Sequence, residues 1–178
     1  MAASVLLIPG LWNSGPEHWQ SHWERARPGC RRVVQREWET PDCAEWVETL
    51  ERAVGEAAAP VVLAAHSLGC ALVAHWAAAS RNTARVRGAL LVAPSDVEAP
   101  KYPPGTTGFL PMPLAKLPFP AVVAMSGDDE WVAPARAALF ARSWGARLFE
   151  AGAKGHLNGD SRLGMWPEGW ALIEALHA

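Results

Sequence analysis

Ser67 lies between a strand-like run and a helix-like run, and this pattern restricts the possible folds more than any other part of the chain. The run Val61–Ala65 is short, apolar and rich in β-branched residues, which is typical of a buried parallel strand. The segment Leu68–Ser80 is apolar and alanine-rich, with large side chains at four-residue spacing, and it predicts a helix. We therefore expect a sharp strand-to-helix turn at Ser67.

A serine at such a turn matches the nucleophile elbow, G-x-S-x-G, which exposes the hydroxyl above a parallel sheet. The positions two residues before and after the serine must be small, and Ala65 and Gly69 occupy them. Ala65 departs mildly from the glycine pattern. The alternative is a serine–glycine turn that merely joins a strand to a helix, because short motifs also occur by chance.

Strand-like and helix-like runs alternate along the whole chain, which predicts a mostly parallel, doubly wound α/β sheet with helices on both faces. The predicted strands are Ser4–Ile8, Arg32–Gln35 (an edge strand), Val61–Ala65, Val86–Val92, Ala121–Met125 and Arg147–Glu150. The predicted helices are Glu17–Arg27, Asp42–Ala57, Leu68–Ser80, Pro134–Trp144 and Glu168–His177. We find neither a repeat nor a linker, so residues 1–178 are interpreted as one domain.

The segment 94–120 interrupts this regularity, because it holds eight of the 15 prolines. A long helix is excluded there, and a long ordered excursion is more often a functional loop or lid than a plain connector. Its apolar side chains either line a pocket or pack the loop onto the body. We expect the segment to form a wall over Ser67, with Phe109 and Met112 limiting substrate size.

A serine hydroxyl needs a base within hydrogen-bond reach, and that base needs an acidic group to orient it. After the nucleophile, Asp128 and Asp129 follow one predicted strand and His156 follows the next. This order is typical of α/β-hydrolases, and all these residues lie beyond carboxyl ends of strands, where ligands bind in open α/β sheets. Asp129 is preferred because the pattern D-x-x-V from Asp129 suits the acid loop, and Asp128 is then expected to cap the turn.

The oxyanion hole requires two backbone N–H donors. One is expected from Leu68, directly after the serine, and the other from Leu11 in the loop after the first strand, with Trp12 as the alternative. Four side chains are candidates for the substrate pocket, although each could equally pack in the core: Trp12, Phe109, Trp131 and Trp166.

Composition excludes several other functions. The net charge of −2 and the pI of about 6.3 give no global field that would attract nucleic acid or an acidic membrane. The three cysteines lack metal-ligand spacing and suit a reducing compartment, so we expect a cytoplasmic protein. His18 and His22 have a spacing that can bind metal on a helix, but no third ligand is evident, and neither metal nor organic cofactor is expected.

Four segments together resemble the small serine hydrolases of the retinoblastoma-binding protein 9 / YdeN type. They are Ile8–Gln20, Ala65–Gly69, Ser126–Asp129 and Gly155–Asn158, and the resemblance extends to Gly164–Gly169. It implies a compact α/β-hydrolase without a separate cap domain and a Ser67–His156–Asp129 triad, in which the second aspartate of the pair is the acid. It implies little about the substrate.

The sequence thus predicts a serine hydrolase that cleaves small acyl esters through an acyl-enzyme, acting as a monomer or weak homodimer on a small-molecule substrate. Amidase, peptidase or thioesterase activity from the same triad is an alternative. A protein-binding module built on a hydrolase scaffold is another, because a fold alone does not determine function.

Overall fold

The computed structural model describes residues 4–178, whose six strands form one sheet with every neighbouring pair parallel. In chain order the strands are β1 (Ser4–Ile8), β2 (Cys30–Arg32), β3 (Val61–His66), β4 (Val86–Val92), β5 (Ala121–Met125) and β6 (Arg147–Glu150). The spatial order is β2-β1-β3-β4-β5-β6. The order reverses beside β1, and β3, which leads into Ser67, lies in the interior of the sheet.

Within residues 4–178, five α-helices cover both faces of this sheet: α1 (Trp19–Ala26), α2 (Cys43–Glu56), α3 (Leu68–Ala79), α4 (Pro134–Trp144) and α5 (Pro167–His177). Side chains of α2, α3 and α4 pack in one apolar core, and those of α1 and α5 pack in a second core on the opposite face. Alternate strand residues enter the two cores, so Leu63 faces one and Val62 the other. The predicted doubly wound α/β sheet is confirmed, and residues 4–178 include no separate cap domain.

Helix ends follow the chemistry of their capping residues. Asp42 caps α2 by accepting a hydrogen bond from the Glu45 N–H at 3.1 Å, so the helix begins one residue later than predicted. Pro134 and Pro167 occupy the first positions of α4 and α5, where a missing N–H costs nothing. No helix within residues 4–178 has the length and apolarity to cross a membrane.

The edge strand β2 lies two residues earlier than the predicted run Arg32–Gln35. The turn before it fixes the register, because the Cys30 N–H donates to Arg27 O and the Val5 N–H donates to Gly29 O, both at 2.9 Å. Pairing with β1 then ends just after Arg32, where the Val33 N–H donates to Leu7 O. A short polar run at a sheet edge lacks the periodicity that would have shown this register.

The proline-rich segment 94–120 contains neither a helix nor a strand, and much of it packs onto the body. Phe109 and Met112 are buried in the core shared with α2 and α3, where the Phe109 ring lies edge-on to Trp46. The prediction that these two side chains wall the space over Ser67 is therefore wrong. Burying an aromatic side chain removes more apolar area from water than a solvent-exposed wall would.

Candidate active site

The turn at Ser67 is sharp, with φ 56° and ψ −122° at the serine itself. Non-glycine residues rarely adopt a positive φ, and such strain persists only where surrounding contacts enforce it. The Ser67 N–H is fixed by Val92 O at 2.9 Å. The turn also lies directly against the loop after β1. A Cβ atom on Gly69 would overlap the carbonyl oxygens of Ile8 and Pro9, which explains why this position must be glycine.

Ser67, His156 and Asp129 form one hydrogen-bonded chain. The Ser67 Oγ lies 2.9 Å from His156 Nε2, and His156 Nδ1 lies 2.9 Å from each carboxylate oxygen of Asp129. Asp129 is 8 % exposed and also accepts the Trp131 N–H at 2.8 Å. In this arrangement Nδ1 carries a proton towards the carboxylate, so Nε2 is free to accept the proton of the serine.

The neighbouring carboxylate of Asp128 binds other groups. Its Oδ1 accepts the Ser126 hydroxyl at 2.7 Å and the Gly155 N–H at 2.8 Å. These hydrogen bonds, the Ser126 one foremost, lower the pKa of Asp128. Asp128 thereby ties its own loop to the loop that carries His156, and Asp129 is the aspartate of the pair that contacts the imidazole.

Two further histidines lie behind His156. The buried His66 holds the backbone of His156, because its Nε2 donates to His156 O at 2.9 Å. Burial lowers the pKa of His66 well below its usual value, so the ring is neutral. His18 packs edge-on against His66, and its Nδ1 caps α1 by accepting the Gln20 N–H at 3.2 Å. Burial, and then the charge of Arg32, lowers the pKa of His18 to about 3.

The two predicted oxyanion donors lie on segments that touch each other. A Cβ atom on Gly10 would come 2.8 Å from Ser67 Cβ and 3.0 Å from the Leu68 nitrogen, so the loop after β1 presses against the elbow. Leu68 is the first residue of α3, where an N–H has no intrahelical acceptor. Of the two candidate donors in this loop, Trp12 is engaged elsewhere, because its N–H donates to Trp38 O at 2.9 Å, and this favours Leu11.

Comparison with known proteins gives the family of the chain. A model of the family described as serine hydrolase matches residues 5–175. The chain belongs to the serine hydrolase family.

Solved structures of the YdeN type align with nearly the whole of this chain. A YdeN-like hydrolase of Pectobacterium atrosepticum is 30 % identical, with a TM-score of 0.83 over 98 % of this chain and 92 % of that one. The ydeN gene product of B. subtilis is 20 % identical, with a TM-score of 0.77 over 99 % of both chains. The type II thioesterase BorB of the borrelidin biosynthetic cluster shares the fold at 16 % identity, with a TM-score of 0.69 over 100 % of this chain and 94 % of BorB. No curated protein sequence matches significantly.

The Ser67 side chain of this serine hydrolase opens into a cleft of about 240 Å³. Trp12 and Trp131 line it, and the Trp131 ring lies 6.4 Å from the His156 ring between centroids. The remaining lining residues are Leu11, Asn13, Gly15, His18, His66, Ser67, Ser95, Tyr102, Pro103, His156, Asn158, Gly159 and Asp160.

Two of the four predicted pocket side chains lie elsewhere, and these predictions are wrong. Trp166 is buried in the core between α1 and α5, and its ring lies so close to Gly169 that a Cβ atom there would overlap it. Phe109 is buried in the opposite core. The Trp166 indole and the Phe109 phenyl ring both pack in a core. The predictions failed because nearness to a motif in sequence does not fix the direction of a side chain.

Sequence reasoning missed Ser95 and Tyr102, which are the contributions of the proline-rich segment to the cleft along with Pro103. Ser95 is 3 % exposed, and its Oγ lies 2.7 Å from Ser67 Oγ. Its position was a usable signal, because Ser95 follows β4 at the carboxyl edge of the sheet, where ligand sites lie in open α/β folds.

Proposed function

We propose that this hydrolase cleaves small, uncharged or weakly polar acyl esters through a covalent acyl-enzyme on Ser67. The observation that carries the proposal is the hydrogen-bonded chain from Ser67 through His156 to Asp129, with the serine hydroxyl facing a cleft. Nucleophile, base and orienting acid stand in the geometry that activates a serine in unrelated hydrolases.

In the proposed reaction, His156 Nε2 takes the Ser67 proton as Oγ attacks the acyl carbon. The carbonyl oxygen becomes an oxyanion, which we assign to the N–H groups of Leu11 and Leu68. His156 then gives its proton to the departing alkoxide, and the acyl group remains on Ser67. In the second half of the reaction a water molecule gives a proton to His156 and its oxygen attacks the acyl carbon. The bond to Ser67 Oγ then breaks, and His156 returns the proton to Ser67. Asp129 stabilises the imidazolium throughout.

The composition of the cleft supports an uncharged acyl group. Of the lining residues, all of which lie within 4–178, none is a lysine or arginine that would pair with an anionic substrate. The two lining histidines behind His156 are held neutral by burial. A volume of about 240 Å³ lies just below the usual range for drug-sized ligands, which favours a small substrate. Leu11, Trp12 and Trp131 supply apolar contact.

The decisive experiment is labelling with a fluorophosphonate probe, followed by mass spectrometry of the modified peptide. We expect stoichiometric modification of Ser67 in the parent and none in Ser67→Ala. A panel of p-nitrophenyl esters from acetyl to octanoyl, with matched thioesters and anilides, then defines the substrate class. A protein that binds a partner without catalysis would leave the probe unreacted, and a preference for the thioester series would replace the ester assignment.

A further inference from the structure

The Ser67 hydroxyl has a second hydrogen-bond partner in addition to His156. Ser95 Oγ lies 2.7 Å from Ser67 Oγ, while His156 Nε2 lies 2.9 Å away on its other side. A hydroxyl has one proton and two acceptor lone pairs. When Ser67 directs its proton to His156, as attack requires, the Ser95 hydroxyl must be the donor in the serine–serine hydrogen bond.

Backbone contacts hold Ser95 in this position independently of its side chain. Its N–H donates to Ser67 O at 3.3 Å, so the start of the proline-rich segment is attached to the elbow. The next residue, Asp96, forms a bidentate pair with Arg136 of α4, with both N···O distances at 2.8 Å. A substitution that removes only the Ser95 hydroxyl therefore leaves the loop anchored.

Tyr102 lies behind Ser95. Its hydroxyl is buried and adjacent to Ser95, although within residues 4–178 it has no partner in regular hydrogen-bond geometry. Burial raises the pKa of Tyr102, so the phenol keeps its proton. A phenol is a stronger donor than an aliphatic hydroxyl, so the neighbouring Tyr102 is the candidate donor to the Ser95 oxygen. With that hydrogen bond in place, the order of donors would run from Tyr102 through Ser95 and Ser67 to His156.

We propose that Ser95 is a catalytic residue that stabilises the Ser67 oxygen during attack, an inference that rests on the proposed nucleophilic role of Ser67. As the Ser67 proton moves to His156, negative charge grows on Oγ before its bond to the acyl carbon is complete. The Ser95 O–H donates to that oxygen and keeps its own proton, so no proton is gained or lost at Ser95. Hydrogen bonds to charged groups are stronger than those between neutral groups.

The test compares Ser95→Ala with Ser95→Thr, which retains a hydroxyl. The readouts are the second-order rate of Ser67 phosphonylation by a fluorophosphonate and the separate kcat and KM values for p-nitrophenyl acetate. We expect Ser95→Ala to lower the phosphonylation rate and kcat by about 10-fold, with KM within about twofold of the parent. Ser95→Thr is expected to recover most of the rate, and thermal unfolding checks that each variant is folded.

A double-mutant cycle tests the second part of the relay. Tyr102→Phe is expected to slow phosphonylation about threefold in the parent and to have no effect in the Ser95→Ala background, since its action passes through Ser95. Equal effects in both backgrounds would remove Tyr102 from the relay.

The outcomes separate this inference from the proposed function. An unlabelled parent protein would overturn both. A parent labelled at Ser67 together with a Ser95→Ala variant labelled at the parental rate would overturn the role of Ser95 and leave the proposed function intact. A rise in KM alone, with phosphonylation at the parental rate, would likewise reject Ser95 as a stabiliser of the attacking oxygen.

Discussion

The loops around Ser67 and the proline-rich segment 94–120 meet at the same edge of the sheet, but different forces hold them. The loops depend on hydrogen bonds and close backbone contacts, such as those of Asp128 with Ser126 and Gly155. Beyond the polar contacts of Ser95 and Asp96 at its start, the segment depends on burial of side chains that include Phe109. A hydrogen bond weakens steeply when its atoms are displaced slightly, whereas the stabilisation from burial scales with the apolar area removed from water. Substitutions in the loops should therefore reduce activity more than stability, and substitutions of the buried side chains should do the reverse.

The largest expected effect separates two adjacent carboxylates within the loops. Asp129→Ala should lower kcat by about 10⁴-fold, because His156 loses both its orientation and the partner of its imidazolium. Asp128→Ala is the matched control, and we expect a loss of only about 10-fold from loosening of the histidine loop. Steady-state kinetics on an acetyl ester measures both. A larger loss in Asp128→Ala than in Asp129→Ala would reassign the acid.

Phe109→Ala tests the segment. This side chain is 2 % exposed, and truncating a buried phenylalanine costs about 3–5 kcal/mol of unfolding free energy, measured by urea titration. The next residue, Leu110, is 62 % exposed, so Leu110→Ala should change stability by less than about 0.5 kcal/mol. Both variants should keep the parent's acyl-chain preference per folded molecule. A changed acyl-chain preference in Phe109→Ala would contradict the assignment of stability to the segment and of activity to the loops.

His18 gives the site a pH-dependent contribution to stability. Its pKa is about 3 in the folded protein and near 6.5 when unfolded, so the unfolded state binds more protons between these values. Stability from this group is present above about pH 6.5 and is lost as the pH falls. The loss should be about 3 kcal/mol by about pH 4.5.

His18→Asn removes the titrating ring but keeps an acceptor for the cap of α1. We expect the variant to lose less unfolding free energy than the parent between about pH 7 and about pH 4.5, as measured by urea denaturation. If the unfolding free energy of parent and variant fell equally with pH, His18 would not be the group responsible for the loss of stability.

The smallest expected effect concerns Trp12, which is 59 % exposed at the cleft. Trp12→Ala should alter the ratio of kcat/KM between acetyl and octanoyl esters by about 10-fold, the scale of a small change in hydrophobic fit. Stability should hardly change. Val34 is 67 % exposed and lies outside the cleft, so Val34→Ala is the control and should keep the parent's ratio. Identical ratios in the two variants would remove Trp12 from the acyl pocket.

Much of the fold could be predicted from sequence, because apolar runs and glycine or proline boundaries act locally. β1, β4, β5, β6 and α4 have the predicted bounds. The strand β2 does not, because its register depends on which carbonyl of β1 each amide reaches. The same distinction applies to the site: Ser67, Asp129 and His156 follow separate strands, and a parallel sheet brings the ends of those strands to one edge.

The sequence by itself determined the alternating α/β architecture, the elbow at Ser67 and the order of serine, aspartate and histidine, since each depends on local pattern and on the topology of parallel strands. Tertiary structure alone decided that Phe109 and Trp166 are buried and that Ser95 touches Ser67. Neither the proline-rich segment nor the turn before α5 has a periodicity that would fix the direction of each side chain. Each side chain takes its direction only when its segment packs against helices that are distant in sequence. Those helices supply the apolar surface and the hydrogen-bond partners that fix it.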